Sequence, residues 1–155
     1  MINLKPFRQR PSFCGPASLK ILLEHYGKEY SESELGIICR TTVEQGTNHA
    51  DMVEGVRKLG YTPFTKENAS LDDIKYWLDK DMPVVVGWWS TDDDHYSVVY
   101  GIDDKNIYLM DPELDEGKRE MALEEWDKVW FDFEGPLKYK VERWMLAVPP
   151  KTKAG

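Results

Sequence analysis

Apolar residues recur with helical spacing in the first half of the chain. Leu19, Leu22, Leu23 and Tyr26 form one stripe behind Cys14-Gly15-Pro16, which predicts a helix of about three turns. Pro16 suits a first helical position, where a missing N–H costs nothing. Gly27 falls where a helix-ending glycine sits. Ser31 and Glu34 have the form of a capping box opening the short apolar run Leu35 to Cys39. The polar stretch TTVEQGT reads as a loop. Asn48 then caps a further helix with Asp51 in its first turn, an apolar stripe of Met52, Val53, Val56 and Leu59, and Gly60 at its end. Ser70 with Asp73 opens a fourth, facing Leu71, Ile74, Trp77 and Leu78 inward.

The period changes after Pro83. PVVVGWW, from Pro83 to Trp89, is β-branched and aromatic and too short for an ordinary helix, so it predicts a buried strand. His95 to Ile102 and Asn106 to Met110 predict two more, joined by the turn-forming Asp103-Asp104-Lys105. A short helix over Glu124 to Trp130 and a closing strand from Val141 to Val148 complete the chain before Pro149-Pro150-Lys151. Helices followed by antiparallel strands indicate an α+β fold, expected as a single domain over residues 1–155.

Composition narrows the function classes. Hydrophobic residues at 41% and aromatics at 12% supply a core. A formal charge of -8 repels phosphate backbones and argues against a nucleic-acid partner. No run reaches membrane-spanning length, and MINLKPFRQRPSF lacks the apolar centre of a signal peptide, so a cytoplasmic location is expected. There Cys14 and Cys39 stay reduced, with Cys39 in LGIIC a buried core residue. Two cysteines and three histidines show no zinc-type spacing. Neither a metal nor a cofactor is implied.

The candidate chemistry starts at Cys14. It lies at a helix entrance, among unpaired backbone N–H groups and the positive end of the dipole, where a cysteine is a good nucleophile. It needs a base, and the base needs an orienting group. His25 stands at the far end of the same helix and cannot reach. His49, near the start of a helix, is expected to be exposed. His95 begins a strand that folds back on the next, and pairing outward from the Asp103–Lys105 turn sets Asp111 opposite Ser97 or Val98. Opposed strand residues are roughly 5 Å apart, so the carboxylate can hold one imidazole nitrogen and leave the other free. Pro112 keeps Asp111 extended and ends the strand. Cysteine, histidine and aspartate so disposed suit a triad in which the acid orients the base. Asp92, Asp93 and Asp94, just before His95, read as a solvated loop or as an acidic rim attracting basic peptide; Trp88 and Trp89 close the preceding strand nearby.

QRPSFCGPASLKILLEHYG, GTNHADMVEGVRKLGY and HYSVVYGIDDKNIYLMDP, in this order, resemble the papain-like cysteine peptidases that cleave bacteriocin leader peptides after a double glycine, and more closely the stand-alone domains related to them. The resemblance runs from Gln9 to the closing strand, with LEEWDKVW similar to the segment that follows the Asp-Pro. It implies a papain-like fold, with helices packed on an antiparallel sheet, and hydrolysis of a peptide or isopeptide bond through a thioester. Cys14 would be the nucleophile, His95 the general base and acid, Asp111 the orienting residue, and Gln9 the oxyanion-hole side chain. Gln9 precedes Cys14 by five positions where most such peptidases have six. Arg8 stands at six, with a guanidinium that can also stabilise an oxyanion. The implied partner is a peptide or protein substrate; the oligomeric state is open. Two other readings share the fold: a peptide-binding module without turnover, and acyl transfer to an amine, since Cys-Gly-Pro-Ala-Ser-Leu also resembles the phytochelatin-synthase branch.

Overall fold

Four N-terminal helices lead into strands that pair antiparallel. The computed structural model describes residues 1–151; residues 152–155, which the sequence reading includes in the domain, lie outside the described residues. Helix α1 (Cys14–His25) buries Leu19, Leu22 and Leu23 and ends at Gly27, whose φ of 78° is the left-handed turn predicted for it. Pro16 stands at the third helical position, not the first. The first-turn N–H groups have no intrahelical partner, so proline is tolerated there. The predicted capping box forms at Ser31/Glu34 on α2 (Glu32–Ile38), and Ser70 and Asp73, expected to open a helix, make a second one on α4 (Leu71–Leu78). The Asn48 side chain caps α3 (His49–Lys58) through the N–H of Asp51.

The main sheet contains β1 (Phe64–Lys66), β2 (Val84–Ser90), β3 (Asp93–Ile102), β4 (Asn106–Met110), β5 (Lys118–Ala122) and, last in the chain, β8 (Trp144–Ala147). Its strand order is β1-β8-β2-β3-β4-β5. Helix α5 (Leu123–Val129) and the hairpin of β6 (Phe131–Glu134) and β7 (Tyr139–Glu142) lie between β5 and β8. The predicted closing strand is therefore two strands. Arg143 at φ 51° breaks it, sending β7 to β6 and β8 into the main sheet between β1 and β2. Strands β1, β5 and β6 were not predicted.

Strand alternation splits the core by face. Val85 and Val98 face the helical layer with Leu19, Leu22, Leu35 and Met52. Val84, Val86, Val99 and Ile107 point the other way, onto Ile74 and Trp126. Helix α1 lies against the first face, over β3, so its N-terminus comes to the end of the sheet where β3 begins. Cys39 caps α2 and is fully buried, as expected, and burial pushes its thiol up to about 12. It is inert packing.

Candidate active site

Cys14 is the first residue of α1 and is half-buried, and no side chain caps this helix. Its N-terminal N–H groups are therefore left for whatever occupies the space in front of them. Gly15 is needed here because a Cβ would fall 2.7 Å from Thr47 Oγ1 and 3.0 Å from Met52 Cε. The glycine lets the loop before α3 close directly onto the cysteine turn.

His95 and Asp111 reach the same end of the sheet from β3 and the end of β4. Val98 pairs with Met110, which puts Asp111 opposite Ser97, one of the two registers expected. Asp111 is completely buried, and its Oδ1 lies 2.5 Å from His95 Nε2. With Nε2 taken, Nδ1 is the ring nitrogen left to face the sulfur. Burial works to lower the His95 pKa, but hydrogen bonds with Asp111 and Cys14 and the negative charge of both outweigh it, and the ring is raised from 6.5 to about 10. For Asp111, burial works upward and is overcome by His95, by the N–H of Glu113 at 3.0 Å and by Arg119 Nε at 2.8 Å, so its carboxyl sits below the usual range. Trp88 stands edge-on to His95 with centroids 5.6 Å apart, fixed by its own Nε1–H donating to Ser97 Oγ. Glu113 Oε2 comes within 3.7 Å of His95 Nε2.

Gln9 lines the same cavity as Cys14 and His95, and its backbone N–H donates to the carbonyl of Pro112, the residue after Asp111. Its side-chain amide donates to the Arg10 carbonyl at 3.3 Å, and its Oε1 is buried without a partner among the described residues. Arg8 is exposed and turned to Asp115.

His49 is not exposed, contrary to the sequence expectation. It is 7% accessible and stacked on Trp144 at 4.0 Å, with Nδ1 2.6 Å from Tyr96 Oη and Nε2 2.9 Å from Asp132. The β6–β7 hairpin covers it: Asp132 comes from β6, and Glu134 accepts the His49 backbone N–H. The aspartate triplet is likewise only partly a solvated loop. Thr91 and Asp92 make the β2–β3 turn at positive φ, while Asp94 is half-buried and accepts the Phe133 N–H at 2.9 Å. Burial and neighbouring carboxylates raise both Asp94 and Glu134. His25 stands at the far end of α1, against Asp81, as expected.

The cavity in front of Cys14 has a volume of about 1070 Å³ and is an open groove between the Thr42–Gly46 loop and the β6–β7 hairpin. Asp93, Asp94, Glu113, Asp132 and Glu134 line it on the sheet side. The structure thus brings Cys14, His95, Asp111 and Gln9 together. Sequence reasoning missed Arg119 and Glu113: both lie in charged runs, EGKRE and DPELDE, that look like any solvated edge. No local signal marks them.

The model of the Peptidase C39 family matches residues 7–133. The lactococcin-G-processing and transport ATP-binding protein LagD of Lactococcus lactis subsp. lactis is 28% identical over 128 residues, covering 80% of this chain and 17% of the relative. The chain thus spans about a sixth of that protein's length. Among solved structures, the peptidase domain of Streptococcus ComA, a bi-functional ABC transporter involved in quorum sensing, superposes with a TM-score of 0.74 at 24% identity, covering 97% of this chain and all of that one. A double glycine motif protease from an AMS/PCAT transporter, in complex with the leader peptide, gives a TM-score of 0.69 at 20% identity, over 96% of this chain and 94% of the other. No helix among the described residues is long and apolar enough to cross a membrane.

Proposed function

The chain belongs to the Peptidase C39 family, a family of papain-like cysteine peptidases, and from that premise we propose that Cys14, His95 and Asp111 cleave a peptide bond through a thioester. The observation that carries the proposal is the division of labour on the His95 ring. Nε2 is held by Asp111, and Cys14 acts on the same ring from the uncapped mouth of α1. With its pKa at about 10, the ring carries the proton at neutral pH and faces the attacking sulfur as an imidazolium.

In the first step Sγ adds to the carbonyl carbon, and the oxygen takes up negative charge. The Cys14 backbone N–H is one donor to that oxygen, and the Gln9 amide, released from the Arg10 carbonyl, is the second. His95 gives its proton to the leaving nitrogen, the C–N bond breaks, and a thioester remains on Cys14. Water then adds to the thioester carbon while His95 takes one of its protons. The carboxylic acid leaves, and the proton returns to the sulfur–imidazole couple. Gln9 is a better donor than Arg8, which is turned to Asp115.

The substrate is a peptide lying in the groove, and the site of action is the cytoplasm, where free thiols persist. Peptides containing a double glycine are the first to test, since that motif describes the protease among the structural relatives. The test compares wild type with Cys14→Ser on a peptide library, and fast iodoacetamide labelling of Cys14 in wild type with its loss in His95→Ala. An equal residual rate in wild type and Cys14→Ser removes Cys14 as nucleophile. Added amine, trapped in the product or not, separates acyl transfer from hydrolysis.

A further inference from the structure

The carboxylate that holds His95 has a second oxygen, and one cation occupies it. Arg119 projects from β5 opposite Leu109, and its Nε donates to Asp111 Oδ2 at 2.8 Å, while Oδ1 takes His95. The Arg119 guanidinium also lies 5.5 Å from the centre of the Trp88 ring, and the same ring presents its edge to His95. One side chain therefore touches both partners that flank the imidazole. Asp111 is fully buried, whereas the Arg119 side chain is 31% exposed, so the charge that offsets the carboxylate enters from the solvent edge of the sheet.

We propose that Arg119 is the positioning residue of the His95–Asp111 couple: it fixes the carboxylate plane and, by its charge, limits how tightly Asp111 holds the imidazolium. The limit matters because His95 must give its proton away once per turnover. An imidazolium bound to an unshared carboxylate in a buried site is a poor donor. Arginine suits the position better than lysine, since a planar fork can bind a carboxylate oxygen and lie over an indole together. The other charged groups that face the ring are Cys14 from α1 and Glu113 from the turn after β4, and both act in the same sense as Asp111. Arg119 is the one cation seen on this couple among the described residues.

The inference rests on His95 and Asp111 working as proposed above, and its test needs no substrate. The His95 ring is titrated by NMR in protein carrying labelled histidine, its signal assigned by loss in His95→Gln. In Arg119→Met the midpoint should rise by about half a unit to one unit, because the carboxylate is no longer shared and a neighbouring positive charge is gone. Arg119→Lys, which keeps the charge, should leave the midpoint within a few tenths of wild type. An unchanged or lowered midpoint in Arg119→Met overturns the inference. So does an equal rise in both variants, and so does a loss of melting temperature in both with no titration change, which would make Arg119 a strut between β4 and β5. If Arg119→Met does not fold, Arg119→Gln removes the same charge with a polar side chain. A midpoint that moves as expected in a protein without peptidase activity would sink the catalytic reading and leave the coupling standing.

Discussion

Replacing Asp111 by asparagine keeps the shape of the side chain and removes its charge, and its consequences can be worked from His95. The ring sits at about 10 against an ordinary 6.5, a difference of 10 − 6.5 = 3.5 units. At about 1.4 kcal/mol per unit, the folded state gains at most about 5 kcal/mol from holding the protonated ring, shared between Asp111 and Cys14. A group raised on folding contributes its stability in full below its unfolded value and loses it as pH climbs to the folded one. The wild type should therefore weaken by about 3 kcal/mol between pH 6.5 and 9, since 9 − 6.5 = 2.5 units at the same rate per unit. Asp111 itself is lowered on folding, so its contribution is present above about pH 4 and fades as acid takes pH down through its folded value. In Asp111→Asn both flanks flatten. Stability near pH 6 drops by about 2–4 kcal/mol, partly because Arg119 loses its partner. Urea unfolding followed by tryptophan fluorescence at pH 5, 6.5, 8 and 9 reads the curves. An Asp111→Asn profile parallel to wild type at a constant offset would show that the aspartate does not set the titration of the ring.

Gln9→Ala should lower kcat by about 10- to 1000-fold with KM nearly unchanged, as expected for a donor used only in the transition state; a raised KM at constant kcat would make Gln9 a substrate contact instead. Gly87→Ala sets a Cβ 2.5 Å from Asp132 Oδ2 and 3.1 Å from His49 Cε1, so unfolding free energy should fall by about 1–3 kcal/mol. An unchanged melting temperature would mean the β6–β7 hairpin moves aside freely. The acidic sheet-side wall of the groove predicts that kcat/KM for a lysine-rich peptide falls several-fold on going from about 50 to about 500 mM salt, while a neutral peptide is unaffected. Equal salt dependence for both would remove steering.

What was legible in the sequence follows from where each element draws its stability. Caps, glycine stops and apolar stripes are local, and they placed all five helices to within a few residues. The β3–β4 hairpin was legible for the same reason: a three-residue turn between apolar runs brings Asp111 to the end of β3 that holds His95, and a one-residue shift between Val99 and Gly101, which nothing local announces, settles it opposite Ser97. Strands β1, β5 and β6 were not, because they hide little and, for β1, the partner β8 is remote. All three residues of β1 are exposed, and β5 alternates exposed with half-buried positions. Trp144 to Val148 reads as continuous with Val141, and the left-handed Arg143 that separates them carries no glycine or asparagine to announce it. Arg119 was invisible because an edge-strand arginine in a charged run resembles solvated surface until Asp111 is placed next to it.

The three histidines show why composition alone could not single out the base. Two of them pair with a buried aspartate, His49 with Asp132 and His95 with Asp111, and both are nearly inaccessible. Burial and a carboxylate partner therefore do not distinguish them. The second ring nitrogen does. In His49 it is taken by Tyr96 Oη, whose own proton goes to the Thr47 carbonyl, and the ring face is closed by Trp144. A ring with both nitrogens committed to fixed partners has no site for a travelling proton, and its work is to bind α3 and the β6–β7 hairpin together at the groove wall. His95 has one fixed partner, and its other nitrogen is left for a sulfur at a helix mouth that nothing caps. The difference between a strut and a base here is one unfilled hydrogen-bond position. It was set by residues far from His95 in the chain, at Thr47 in the loop before α3 upstream and at His49's partner Asp132 downstream, which no local reading of HYSVVYGI contains.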